Sequence, residues 1–201
     1  MIEKISGAEF AAIAEVIRSP QFPDLMRGYM EEITDPNNRK EQIQYLNELE
    51  RSGELPAGKV LVRGEPWMCV ESWISRIDNS RLSLVYINIT TSSLVDEACM
   101  EDRVKLSVPL TLSPLRVEKD DAGLDCVVVD AITGSNIAKV CSNRQILVCV
   151  INLVIQEINA KLMRGDRFVV NDFRVMSDGK YKGGEDCVLP VLMDRGGPLG
   201  N

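Results

Sequence analysis

The residues best equipped for chemistry in this 201-residue chain are Lys180-Tyr181-Lys182-Gly183, where two ammonium groups flank an aromatic ring on a glycine-ended stretch. Cations beside an aromatic suit an acidic or phosphorylated peptide, because hydrogen bonds between charged groups are roughly twice as strong as neutral ones. The competing reading is a solvated loop whose Tyr181 packs inward, since exposed lysine is the norm. Gly179-Lys180 is not a phosphate-binding loop. That motif needs a glycine five residues earlier and a hydroxyl after the lysine, whereas position 174 is Arg and position 181 is Tyr.

Catalysis has little to draw on. The 201 residues contain no histidine, so the usual general base and the commonest metal ligand are missing. Glu31-Glu32 and Asp120-Asp121 are neighbouring carboxylates, but sequence neighbours rarely converge on one substrate, and both pairs read as solvated charge. The six cysteines, at 69, 99, 126, 141, 149 and 187, form no Cys-x-x-Cys pair, which argues against structural zinc. Cys69, Cys126 and Cys149 sit in apolar runs and are expected to be core thiols of a reducing compartment. A binding or scaffolding protein is expected rather than an enzyme, with neither cofactor nor metal.

The formal net charge of −7 argues against nucleic acid as a partner, because grip on a phosphate backbone comes from clustered Lys and Arg. The start, Met1-Ile2-Glu3-Lys4-Ile5-Ser6, has no signal-peptide pattern, and no run approaches ~18 apolar residues. A cytoplasmic protein with no membrane partner is expected. Hydrophobic residues at 45% and charged residues at 26% are ordinary globular usage.

Three helices are expected before residue 54. Ser6 and Glu9 form a capping box for the first, Phe22, Leu25, Met26, Tyr29 and Ile33 stripe the second, and Asp35-Pro36 both ends it and starts a third. The third carries Ile43, Leu46 and Leu49 and gives out at Arg51-Ser52-Gly53. From Trp67 the period changes to two, and Asp78-Asn79-Ser80 separates two strands of a hairpin, the second running from Leu82 to Ile89 before an acidic loop. Val104, Leu106, Val108 and Leu110 alternate with polar positions as one strand that Pro109 ends at an edge or bend. Cys126 to Val129 is apolar on both faces and reads as a central strand. Ser142 with Gln145 should cap the longest helix, which presents Leu147, Val150, Ile151, Val154, Ile158 and Leu162 on one side. Phe168 to Val170 and Cys187 to Met193 read as short strands. The expected fold is α+β, a mixed β-sheet of about four to six strands with helices packed on it. Its parts are an N-terminal helical segment (1–54), an α/β domain (55–193) and a loose tail (194–201).

Several separated segments together resemble one family, the PIH domain proteins. They are Leu25-Met26-Arg27-Gly28-Tyr29-Met30-Glu31-Glu32-Ile33-Thr34-Asp35-Pro36, Val85-Tyr86-Ile87-Asn88-Ile89, Val108-Pro109-Leu110-Thr111-Leu112, Val128-Val129-Asp130 and Lys180-Tyr181-Lys182-Gly183. They stand in the family's order from Leu25 to about Met193. The resemblance implies a non-enzymatic adaptor of an Hsp-ninety-type chaperone in cytoplasmic preassembly of axonemal dynein arms, with dynein heavy or intermediate chains as partners. Other members serve a chaperone complex with AAA+ ATPases that builds ribonucleoprotein and kinase complexes.

Members that bind acidic phosphorylated peptides use two basic residues on the first two strands. Here those positions are Glu71 and Leu84. A carboxylate there would repel a phosphate, and the substitutes expected to bind peptide are Arg76 and Arg81 in the hairpin with Lys180 and Lys182. Some members carry a much longer C-terminal part that engages the chaperone, so this chain is either a piece of such a protein or a short member that borrows those contacts.

Overall fold

Alternation of apolar and polar side chains builds the sheet, and a 3.6-residue apolar stripe builds the helix that covers it. In the computed structural model the described residues are 19, 36–78, 80–101, 105–163, 165–177, 181–183 and 188–194. The two helices expected before Asp35 and residues 195–201 of the expected tail lie outside them, while Asp194, expected to begin that tail, ends a strand. The chain divides into two units, Met1–Arg39 and Lys40–Asn201, and nearly all described residues belong to the second.

Helix α1 (Pro36–Ser52) begins at the proline and ends before Gly53, whose φ of 73° is left-handed backbone suited to glycine. Ile43, Leu46 and Leu49 are half-buried. Arg63 reaches back to it, donating from one nitrogen to Asn47 Oδ1 and Glu50 Oε2, both at 2.6 Å.

The first strands are β1 (Lys59–Val62), β2 (Glu65–Arg76) and β3 (Arg81–Ser92), with β4 (Cys99–Glu101) and β5 (Lys105–Ser107) after them. Then follow β6 (Leu110–Leu112), β7 (Arg116–Lys119), β8 (Asp125–Gly134), β9 (Arg167–Val169), β10 (Arg174–Val175) and β11 (Val191–Asp194). Two helices lie between β8 and β9, α2 (Ile137–Val140) and α3 (Arg144–Lys161). The main sheet has seven strands, one more than the upper end of the expected range, in the order β10-β2-β3-β8-β6, with β9 on β2 and β7 on β8. β3 and β8 are parallel, with Tyr86 opposite Val128 and Asn88 opposite Asp130. The remaining pairs are antiparallel.

The hairpin turn at Asp78 is where the sequence places it, and the Asp78 carboxylate accepts from Ser80 N at 2.9 Å. β3 continues to Ser92 rather than stopping at Ile89, because its last residues pair with β8 as far as Gly134. Gly134 has to be glycine, since a Cβ there would collide with the Asp96 carbonyl oxygen and Glu97 Cα. The single strand expected through Leu110 is two, β5 pairing with β4 and β6 with β8. Pro109, with no N–H to give, stands in the break.

α3 lies on one face of the sheet, burying Ile151, Val154, Ile155 and Ile158 against Val70, Val85, Ile87, Ile89 and Val129, while its Val150 packs with Ala98 and Ile137. Its cap is Asn143 rather than Ser142: the Asn143 carboxamide accepts from Ile146 N at 3.0 Å, and Gln145 falls one position short of a capping box. Cys149 lies on the outer side of α3 and is exposed, so it is not a core thiol. The helical stripe through Val150 and Val154 turns it outward. Cys69 and Cys126 are buried on the opposite face of the sheet, with Tyr86 and Val128. β8 is therefore covered on both faces, as its unbroken apolar run predicts.

Candidate peptide-binding face

Because β3 and β8 run parallel in register, Tyr86 and Asn88 project beside Val128 and Asp130 on the face away from α3. β7, antiparallel to β8, sets Arg116 opposite Val128 and Glu118 opposite Cys126, adding both side chains to that face. The centre is the fully buried Asp130 carboxylate. Its Oδ1 accepts from Asn88 Nδ2 at 2.8 Å and Arg116 Nη2 at 2.9 Å, and its Oδ2 accepts from Arg116 Nη1 at 2.6 Å and the Tyr181 hydroxyl at 2.9 Å. Arg116 Nη2 also donates to the Tyr181 oxygen at 3.1 Å and Nε to Glu118 Oε1 at 2.7 Å. Burial by itself would push the Arg116 guanidinium down, but the charge and hydrogen bonds of Asp130 outweigh it and hold it above its ordinary value. Ser113 secures the backbone of Asp130, accepting from its N–H through Oγ and donating N–H to its carbonyl, both at 2.9 Å.

This network fastens the segment Tyr181-Lys182-Gly183 to the sheet. Asn88 treats Lys182 as a strand would, its Oδ1 accepting from Lys182 N at 2.7 Å and its Nδ2 donating to Lys182 O at 3.1 Å. Among side chains, a carboxamide offers this acceptor and donor together. The Lys182 ammonium then lies 5.0 Å from the centroid of the Tyr86 ring, within cation–π range, and 2.7 Å from Asp121 Oδ1. Partial burial pulls the Lys182 amine down, and the hydrogen bond and charge of Asp121 more than offset that, leaving it raised, while the same hydrogen bond lowers the Asp121 carboxyl. Desolvation raises the Tyr86 phenol, and the Glu71 charge raises it further.

Of the other expected peptide-binding residues, Arg81 stacks over Trp73, its guanidinium carbon 5.0 Å from the ring centroid. It stands five residues before Tyr86, roughly 16 Å along the strand at the usual rise. Arg76 pairs with Asp166 at 3.6 Å, at the rim of an apolar groove of about 580 Å³ beside the end of α3. Lys180 lies outside the described residues. The structure therefore gathers Lys182 with Tyr86 and leaves Arg76 and Arg81 at the far end of the hairpin. Glu71, opposite Tyr86 in register, is not left bare, because Arg174 on β10 binds it at 3.0 Å.

Arg116, Ser113 and Arg174 carry no signal in the sequence. Each acquires its role from strand pairings distant in the chain, and only Asn88 and Asp130 stand in segments that look distinctive by themselves.

Three comparisons bear on this arrangement. Residues 33–190 match the family model described as the PIH1 N-terminal domain. The chain is 27% identical over 137 residues to protein kintoun of Danio rerio, covering 64% of this chain and 23% of that protein. It thus spans less than a quarter of that relative's length. The fold resembles the N-terminal domain of yeast PIH1p, with a TM-score of 0.56 and 17% identity, covering 67% of this chain and 92% of that one. With its family match running from the start of α1 through Asn88, Asp130 and Lys182, this chain belongs to the PIH1 N-terminal domain family.

Proposed function

We propose that the chain is a non-enzymatic chaperone adaptor that binds an acidic or phosphorylated segment of a client protein on the sheet face bearing Lys182 and Tyr86. The observation that carries this reading is the mounting of Lys182. Its backbone is pinned by Asn88 and its neighbour Tyr181 is locked to the buried Asp130, so the ammonium is presented over an aromatic ring in a fixed position. A cation whose position is fixed before binding spends less entropy on a ligand than a free lysine does. The likeness to kintoun directs the reading to cytoplasmic preassembly of axonemal dynein arms, with an Hsp-ninety-type chaperone and dynein heavy or intermediate chains as partners.

Affinity purification of the tagged chain from ciliated cells tests this. Recovery of dynein chains together with the chaperone, lost in Lys182→Glu, is the expected result. Normal dynein arms after deletion of the gene would overturn the dynein assignment. Recovery of ribonucleoprotein or kinase assembly factors from cells without motile cilia would replace it with the general chaperone-complex role.

A further inference from the structure

The two ion pairs around Tyr86 are built in opposite senses. In the Glu71–Arg174 pair the carboxylate is set into the face, its side chain 18% exposed, and the cation stands out in solvent at 70%. In the Lys182–Asp121 pair the cation is set in, at 19%, and the carboxylate stands out at 92%. Lys182 is pinned from below through Asn88, whereas Asp121 projects from the turn between β7 and β8. That turn is closed by its own bonds: the Asp120 carboxylate accepts from Ala122 N at 2.9 Å and Leu124 N at 2.8 Å, and Asp120 N donates to Leu124 O at 2.8 Å. Nothing in this closure involves the Asp121 side chain, which is free to leave Lys182 without unmaking the turn.

We infer that Asp121 is an intramolecular competitor, a carboxylate of the chain's own occupying the place on Lys182 that an anionic group of a bound peptide takes. The inference rests on the proposed peptide-binding reading of this face and adds how it is regulated. An exposed pair of this kind is weak, so a ligand displaces Asp121 readily, and removing it should raise affinity by roughly 1.4- to fivefold. Glu71, held by Arg174, stays in place and sets a limit on the anionic charge the face accepts next to Tyr86.

The test is fluorescence anisotropy on the purified 201-residue chain, with two labelled peptides of one length, one carrying consecutive aspartates and one a phosphoserine among aspartates. Wild type, Asp121→Asn, Lys182→Met and the double variant are compared, with thermal unfolding checked for each. The expected result is tighter binding by Asp121→Asn for at least one peptide and weak binding by both variants lacking Lys182. The stronger of the two peptides tells carboxylate from phosphate. Equal affinity of wild type and Asp121→Asn, both weakened by Lys182→Met, would overturn the competitor and leave the peptide-binding reading standing. Binding that ignores Lys182, or no binding by any variant, would overturn both.

Discussion

Asn88 and Asp130 face one another across the parallel β3–β8 pair, joined by a 2.8 Å hydrogen bond from the carboxamide to the carboxylate, and both are fully buried. The segment that carries Lys182 is fastened to the sheet through this contact. Asn88 holds the backbone of Lys182, and Asp130 holds Arg116 and Tyr181.

Arg116 is the group whose loss should be felt most, because it leaves the Asp130 carboxylate buried with its charge uncompensated. Removing one partner of a buried pair costs about 3–5 kcal/mol. For a domain of this size that corresponds to a fall of roughly 6–20 °C in melting temperature for Arg116→Ala, read by calorimetry. The paired replacement Arg116→Leu with Asp130→Leu should recover much of the loss, since apolar groups of similar volume replace a buried ion pair at little net cost.

Asn88→Asp changes few atoms and reverses the chemistry. It deletes the donors to Asp130 and to Lys182 O and sets a second carboxylate against the first. Urea denaturation should show about 3 kcal/mol or more of destabilisation, exceeding that of Asn88→Leu.

The tether between Asp121 and Lys182 has a pH window with two signed edges. The Asp121 carboxyl is lowered from its ordinary 3.8, so its contribution is present above that value and lost as pH falls through the lower folded one. The Lys182 amine is raised from 10.5, so its contribution is complete below that value and lost as pH rises through the higher folded one. The contact should hold between about pH 4 and 10.5. An NMR titration of Asp121 should show a midpoint below 3.8 that returns toward it in Lys182→Met.

The thiols should divide by burial. Iodoacetamide followed by mass spectrometry should label Cys99 and Cys149 in the native protein, where both are exposed. Cys69, whose thiol desolvation pushes up to about 11, and Cys126, raised for the same reason, should react only in denaturant. Labelling of Cys69 in the native state would show that the face opens.

Local chemistry alone determined much of this chain. Pro36 and Gly53 bound α1, Asp78 and Ser80 make the hairpin, Pro109 breaks a strand, and alternation fixes which side chains of β3 and β8 share a face. These features depend on neighbours a few residues apart, whose spacing is written in the order of residues. Arg116 with Asp130, Tyr181 with Asp130, Lys182 with Asn88 and Asp121, and Arg174 with Glu71 belong to the tertiary structure. Their partners lie 14 to 103 residues apart, and which cation meets which carboxylate follows from strand order and register. The same reason explains Cys149, whose apolar neighbours look like core until the helix shows which side faces the sheet.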